Sequence, residues 1–120
     1  MATLGIHMTS GRSFLLVVAL SGRVVLATDV LDVEYGATAG ERLRLDAHVP
    51  DGDGPFPMVI VAHGGGWSAG DKRKDIAVIL EPLTKSGAFT RFSINYRLAP
   101  TNHWPACFED VQTAIRWVIG

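Results

Sequence analysis

The residue types and spacing most suited to chemistry lie in a glycine-rich segment, His-Gly-Gly-Gly-Trp-Ser-Ala-Gly-Asp, at residues 63–71. Glycine lets the backbone turn sharply, adopt positive φ and approach a ligand closely. An acyl-transfer enzyme needs that freedom, because converging backbone N–H groups stabilise the negative oxygen of its tetrahedral intermediate. The segment therefore predicts either such an oxyanion hole or a glycine-rich turn whose role is only structural.

Two nucleotide-binding motifs also fit the glycine spacing in part. Residues 64–69 match Gly-x-Gly-x-x-Ala, but the dinucleotide fingerprint requires an acidic residue at the end of the next strand. That strand ends in Asn-Tyr-Arg at residues 95–97. Residues 65–70 have the glycine spacing of a phosphate-binding loop, but Asp71 follows where Lys is needed and would repel phosphate. A nucleotide-binding domain remains an alternative with weak support.

A third motif, Gly-x-Ser-x-Gly at residues 66–70, has the spacing of a serine nucleophile elbow. The elbow requires apolar strand residues directly before its first glycine, whereas His-Gly-Gly precedes it here. An acid and then a histidine should follow the serine. The only downstream histidine is His103. Ser68 is therefore predicted to be an ordinary loop or cap serine, with the nucleophile as the alternative.

Four strands are predicted from the apolar patterning, over residues 32–35, 43–49, 58–62 and 89–96. The second strand alternates apolar and polar residues, as a half-buried strand does, and a turn at residues 36–40 joins it to the first as a hairpin. The third strand is a continuous apolar run, which predicts burial on both faces as in a parallel sheet. It ends directly at the glycine segment.

Two helices are predicted to follow the third and fourth strands. The first, over residues 71–86, carries an apolar face, contains Pro82, which should kink or split it, and can end at Gly87. The second opens at Pro105, a position that suits proline. Its predicted buried stripe consists of Phe108, Val111, Ile115 and Val118. Strands alternating with helices predict an α/β fold with a mostly parallel sheet.

Residues 1–31 are predicted to be a leader, either disordered or a signal peptide, before a domain over residues 32–120. An apolar run at residues 14–20 has the length of a signal-peptide core, and residues 1–27 could be cleaved. Arg23 argues against that and also excludes a membrane span, which needs about 20 uninterrupted apolar residues. The localisation therefore stays undetermined, with a cytoplasmic one favoured unless the leader is cleaved.

The composition excludes several other classes of protein. Lys and Arg number 11 and Asp and Glu 12, so the net charge of -1 offers no basic field for nucleic acid. The one cysteine, Cys107, excludes an internal disulfide framework and a multi-cysteine zinc site. A hydrophobic content of 48% excludes a disordered chain.

Residues 63–72, the glycine segment with Lys72, resemble the oxyanion segment of α/β-hydrolase esterases, in the hormone-sensitive-lipase-like and bacterial feruloyl-esterase-like group. Asn-Tyr-Arg-Leu-Ala-Pro at residues 95–100 and the stretch 104–111 resemble the next segment of that family, at a fitting distance. With Leu-Asp at residues 45–46, the resemblance extends from about residue 32 to residue 120.

The resemblance also implies roles for individual residues. Gly65 and Gly66 correspond to the oxyanion N–H donors, and Gly64 permits the turn. His63 braces the loop in such enzymes and is not the base. Trp67 resembles a wall of the acyl pocket, with a buried core tryptophan as the alternative. Further along, Arg97 and Asp110 resemble framework residues that form a pair.

The resemblance implies an N-terminal part of an α/β-hydrolase domain that acts on a small-molecule ester and needs no metal or organic cofactor. In this family the nucleophile, the acid and the histidine come after the second helix, so none of these triad positions is expected within the 120 residues. The chain alone should then be inactive, and its partner would be the remaining C-terminal part of the domain. The competing hypothesis is a non-catalytic α/β module that binds an acyl or carboxylate group through the glycine N–H groups.

Overall fold

The computed structural model describes residues 26–38 and 40–120, which form four strands and two helices. In chain order these are β1 (Thr28–Thr38), β2 (Glu41–Val49), β3 (Met58–Ala62), α1 (Ala77–Ser86), β4 (Thr90–Ile94) and α2 (Ala106–Ile119). The predicted order of strands and helices is confirmed.

The four strands form one sheet in the order β1-β2-β4-β3. The β1–β2 hairpin and the β2–β4 pair are antiparallel, and β3 pairs with β4 in parallel. A short hairpin connection allows only antiparallel pairing, whereas the longer crossover through α1 allows the parallel one. Among the described strands, the parallel character predicted for the sheet is therefore limited to β3 and β4.

The first strand is longer than predicted and starts earlier. β1 begins at Thr28, so residues 28–31 of the predicted leader belong to this strand, and residues 1–25 lie outside the described part. The pairing of β1 with β2 has register shifts between Val30 and Val33 and between Glu34 and Gly36. Asp32 lies in the first of these bulges with a φ of 56°, which places its side chain off the regular alternation.

β3 is the outer strand of the described sheet, and the predicted burial on both of its faces is wrong. Val61 is buried, but Met58 remains 56% exposed. The reason is that β4 is the only described strand paired with β3 and the two helices cover the strand incompletely. Its carboxyl end still delivers the chain directly to His63, as predicted.

The first helix differs from the prediction at its start and at its proline. α1 begins at Ala77 after a series of turns, six residues later than predicted, and it runs through Pro82 without a break. Pro82 is exposed, so water can bond the carbonyl that loses its N–H partner. The predicted end is confirmed, since Gly87 has a φ of 63° and donates its N–H to the carbonyl of Thr84 at 3.2 Å.

The second helix begins next to Pro105, as predicted, but its buried stripe is different. The residues that face the sheet are Ala106, Cys107, Asp110 and Ala114. Phe108 and Ile115, which were predicted to be buried, are 48% and 40% exposed, while Val111 does pack against the core. Val111 and Trp117 pack against the core beside these small side chains, and Arg97 binds Asp110 on the same side of the helix.

The core lies between the sheet and α2. Its members are Tyr35, Leu43, Leu45, Ala47, Ile94, Tyr96, Cys107 and Ala114. Neither α1 nor α2, the helices of the described residues, has the length and apolar character that a bilayer crossing requires. The core holds the ends of β3 and β4 in place. The glycine-rich segment follows β3, and residues 95–105 follow β4.

Candidate functional site

Residues 63–71, named the glycine loop from here on, leave the carboxyl end of β3 and fold back on themselves. The N–H groups of Ser68 and Ala69 both donate to the carbonyl oxygen of Gly65, at 3.2 and 3.1 Å. The loop is therefore a tight turn with its own hydrogen bonds, open to solvent over residues 64–69.

Glycine is required at two positions of the loop for steric reasons. Gly65 has a φ of 118°, and a Cβ built on it would lie 2.1 Å from the carbonyl oxygen of Ala69. Gly70 has a φ of 112°, and a Cβ there would lie 2.2 Å from Nδ1 of His63. Gly66 needs a left-handed φ of 61° but has open space around it.

The backbone of Gly64, the residue expected to permit the turn, does not have the left-handed conformation of its neighbours. Gly64 does not have a positive φ, and a Cβ on it would meet nothing within 4 Å. The positive φ values begin at Gly65 and continue through Gly66 to Trp67, whose φ of 65° is uncommon for a residue with a side chain.

The N–H groups of Gly65 and Gly66 are available to a ligand. Within the described part of the chain, neither N–H donates a hydrogen bond, whereas the N–H groups of Ser68 and Ala69 are both used in the turn. An exposed pair of consecutive, unbonded N–H groups on a backbone held at positive φ can bind an anionic oxygen.

His63 braces the start of the loop, as predicted. Its buried ring stacks on that of Tyr96 with centroids 4.4 Å apart, and its Nδ1 lies 2.8 Å from the carbonyl oxygen of Gly64. The hydroxyl of Tyr96 donates to the carbonyl oxygen of His63 at 2.5 Å. These contacts fix the chain where it leaves β3.

Trp67 is not a core residue. Its side chain is 56% exposed, and its ring lies 5.9 Å from that of Tyr96 at an angle of 57°. The Trp67 carbonyl accepts a hydrogen bond from the N–H of Ala99 at 2.8 Å, which joins the loop to the segment after β4. The core alternative is excluded, and a role as a pocket wall stays a prediction.

The geometry around Ser68 gives no support to the nucleophile alternative. Its hydroxyl donates to the carbonyl oxygen of Gly65 at 3.3 Å, as a cap does. Among the described residues, no histidine or carboxylate lies within hydrogen-bond distance of that hydroxyl, although a serine nucleophile requires a base there.

Arg97 and Asp110 form the predicted pair. Arg97 donates from its backbone N–H and from Nη2 to the Asp110 carboxylate, both at 2.8 Å. Asp110 is 1% exposed, and its hydrogen bonds to the guanidinium raise the pKa of Arg97 above its ordinary value. The pair holds the segment after β4 against α2, in agreement with a framework role.

A cluster of four charged residues just beyond the glycine loop was not predicted. Lys72 Nζ lies 2.8 Å from Oδ1 of Asp32 and 2.7 Å from Oδ1 of Asp46. Arg73 bonds the same two carboxylates, through Nη2 to Asp32 at 2.7 Å and through Nε to Asp46 at 2.6 Å. The hydrogen bonds from Lys72 and Arg73 lower the pKa of Asp32 to about 2.

We call these four residues the charge cluster. The sequence offered one signal for it, since Lys72 and Arg73 are adjacent and Asp46 is an acid in a half-buried strand. Asp32 carries no such signal, because only the bulge in β1 brings it to the cluster. No group of three or more His, Cys, Asp or Glu side chains among residues 26–38 and 40–120 could hold a metal ion.

Comparison with known proteins identifies relatives among ester hydrolases. The family model described as BD-FAE matches residues 45–120. The carboxylic ester hydrolase LipN of Mycobacterium tuberculosis is 39% identical over 90 residues, which are 74% of this chain and 23% of LipN. An esterase of Gibberella moniliformis is 38% identical over 97 residues, or 78% of this chain and 29% of that protein.

Solved structures of the same kind share the fold. A truncated carbohydrate esterase from gut microbiota superposes with a TM-score of 0.67 at 33% identity, over 76% of this chain and 32% of that one. A hormone-sensitive lipase from a metagenome library superposes with a TM-score of 0.60 at 28% identity, over 82% and 30% of the two chains. The chain thus spans a quarter to a third of the length of these relatives.

Proposed function

The chain belongs to the BD-FAE family, within the hormone-sensitive-lipase-like α/β-hydrolase esterases, and on that basis we propose that it supplies the oxyanion hole of a serine carboxylic-ester hydrolase. Its 120 residues would form the N-terminal part of the hydrolase domain. The ester hydrolases among its relatives favour this function over a non-catalytic binding module or a nucleotide-binding domain.

The observation that carries the proposal is the pair of exposed, unbonded N–H groups at Gly65 and Gly66. When a serine attacks an ester carbonyl, negative charge develops on the carbonyl oxygen. Two preorganised donors lower the energy of that state without reorganising during the reaction. An acyl-enzyme then forms and is hydrolysed by water.

The residues beside the two donors supply support and shape. His63, stacked on Tyr96, fixes the entry of the loop and has no part in proton transfer. The exposed indole of Trp67 would border the acyl group of a small ester, and Gly64 would line the approach to the donors without a side chain in the way. No metal or organic cofactor is needed for this chemistry.

The experiment is to complete the domain and measure ester hydrolysis. The chain is joined at Gly120 to the part of LipN that comes after its matching segment, and turnover of a short-chain activated ester is measured. We expect turnover from the fusion and none from the chain alone, because Ser68 has no base within reach in the described structure.

Ser68→Ala in the fusion is the matched control, and it should leave turnover within a few-fold of the parent fusion. Turnover by the chain alone that disappears with Ser68→Ala would make residues 66–70 the nucleophile elbow and refute the proposal. A folded but inactive fusion, whose LipN part still reacts with a serine-directed phosphonate, would also count against it.

A further inference from the structure

Every polar group of Lys72, the residue directly after the glycine loop, is bonded within the protein. Its backbone N–H donates to Oδ1 of Asn95 at 2.8 Å, and its carbonyl accepts a hydrogen bond from Oγ of Ser93. Its Nζ donates to Asp32 and Asp46, and the residue is 2% exposed. The loop therefore ends at a point attached to β1, β2, β4 and the segment after β4.

The charges at this point are balanced. Lys72 and Arg73 supply two positive charges, and Asp32 and Asp46 supply two negative ones. A buried ammonium is stable only where carboxylates replace its lost hydration, so the Lys72 side chain is confined to this position. Arg73 is about half exposed and is not confined in the same way.

The glycine loop is closely packed between Lys72 and the candidate donors. Gly65 packs so closely against Ala69 that a Cβ would lie 2.1 Å from the Ala69 carbonyl oxygen. Gly70 packs equally closely against the His63 ring. A displacement of the chain at residue 72 therefore reaches Gly65 through two contacts that cannot be compressed.

From these contacts we propose that Lys72 is a positioning residue that sets the geometry of the Gly65 and Gly66 N–H groups by anchoring the exit of the glycine loop. Lys72 does not touch the substrate in this role. The inference deepens the proposed oxyanion function and rests on it for its catalytic consequence. The anchoring itself can be measured without catalysis.

The first test uses the full chain and the amide ¹H–¹⁵N signals of its glycines. In Lys72→Met, the signals of Gly65 and Gly66 should move by more than a linewidth, while those of Gly52 and Gly87, remote from the loop, should not. Lys85→Met is the matched control, because among the described residues Lys85 pairs with the exposed Glu81 alone, and it should leave the Gly65 and Gly66 signals in place.

A rescue variant separates positioning from simple charge balance. Adding Asp32→Asn to Lys72→Met leaves one carboxylate and one cation in the cluster, and asparagine tolerates the left-handed φ of position 32. We expect the double variant to recover melting temperature while the Gly65 and Gly66 signals stay displaced. Signals that return to their original positions would show that Lys72 acts through charge alone and would overturn the inference.

Asp46→Asn provides the same test if Lys72→Met does not fold, because it weakens the bond to Nζ with little change in volume. The Gly65 and Gly66 signals should again move. Unmoved signals in a folded variant would overturn the inference.

The completed hydrolase, which is the fusion of this chain to the LipN part, distinguishes this inference from the proposed function. There Lys72→Met should lower kcat about 10- to 100-fold and leave KM within a few-fold, since donors that are displaced act in the transition state. Displaced glycine signals with an unchanged kcat would uphold the anchoring and refute the oxyanion role. Undisplaced signals with an unchanged kcat would refute the anchoring, and the effect of changing Gly65 would then decide the function.

Discussion

The substitution Gly65→Ala tests the oxyanion assignment most directly. A Cβ at this position would lie 2.1 Å from the Ala69 carbonyl oxygen and 2.6 Å from its carbon, so the turn must open to admit it. The alanine keeps its N–H but moves it away from the developing oxyanion. Losing one such donor lowers kcat about 100- to 1,000-fold, which is about 3–4 kcal/mol of transition-state stabilisation.

The assay is the hydrolysis of a short-chain activated ester by the completed hydrolase, with kcat and KM measured separately. KM should stay within a few-fold, because the lost interaction belongs to the transition state. Gly66→Ala should lower kcat less than Gly65→Ala, because its Cβ would meet nothing within 4 Å.

Gly87→Ala is the control for backbone strain. Gly87 has a φ of 63°, close to that of Gly66, and lies at the end of α1 with open space around it. The alanine should cost about 1–2 kcal/mol of stability, seen as a lower melting temperature, and leave kcat unchanged. A folded Gly65→Ala enzyme with kcat near that of its parent would refute the assignment and leave the glycines as a turn only.

Three further predictions concern the charges and hydrogen bonds that hold the loop in place. Arg97→Ala leaves the buried carboxylate of Asp110 without its guanidinium and should lower the free energy of unfolding in urea by about 3–5 kcal/mol. Tyr35→Phe removes the donor to a backbone carbonyl after β4 and should lower it by about 1–2 kcal/mol. The pKa of Asp32 is lowered to about 2, so the stability it contributes is complete above the ordinary value of 3.8 and is lost as the pH falls toward 2. Asp32→Asn should flatten this part of the acid dependence in urea titrations at a series of pH values.

Exposed groups supply the controls for these predictions. Arg42 pairs with Glu34 at 3.0 Å on the surface, so Arg42→Ala should change the free energy of unfolding by less than about 1 kcal/mol. Equal losses in Arg42→Ala and Arg97→Ala would show that burial of Asp110 is not the cause. An unchanged acid dependence in Asp32→Asn would show that other carboxylates account for it.

Local signals were sufficient for several elements. The sequence predicted the positions of β2 and β3 from their apolar patterns, and the start of α2 and the end of α1 from Pro105 and Gly87. Each of these signals depends only on residues that are close together in the sequence. The glycine loop belongs to this group, because its conformation depends on glycines at Gly65 and Gly70.

Features that depend on distant residues were missed. Phe108 and Ile115 were assigned to the inward face of α2, whereas both are exposed and Asp110, bound by Arg97, is buried on that face. The charge cluster joins residues up to 41 positions apart, and its member Asp32 arrives through a bulge that no pattern in β1 indicates. Pairings of this kind are set by the folded chain as a whole.

The strand order also constrains the sequence of events in folding. β2 pairs with β4, which comes about 40 residues later, and β3, which lies between them in the chain, pairs with β4 alone among the described strands. β3 gains its partner among the described strands only when the connection over residues 63–89, which contains α1, has closed, and that closure costs entropy. On a ribosome, the β1–β2 hairpin can therefore form early, while β3 and the glycine loop become ordered only after β4 has been synthesised.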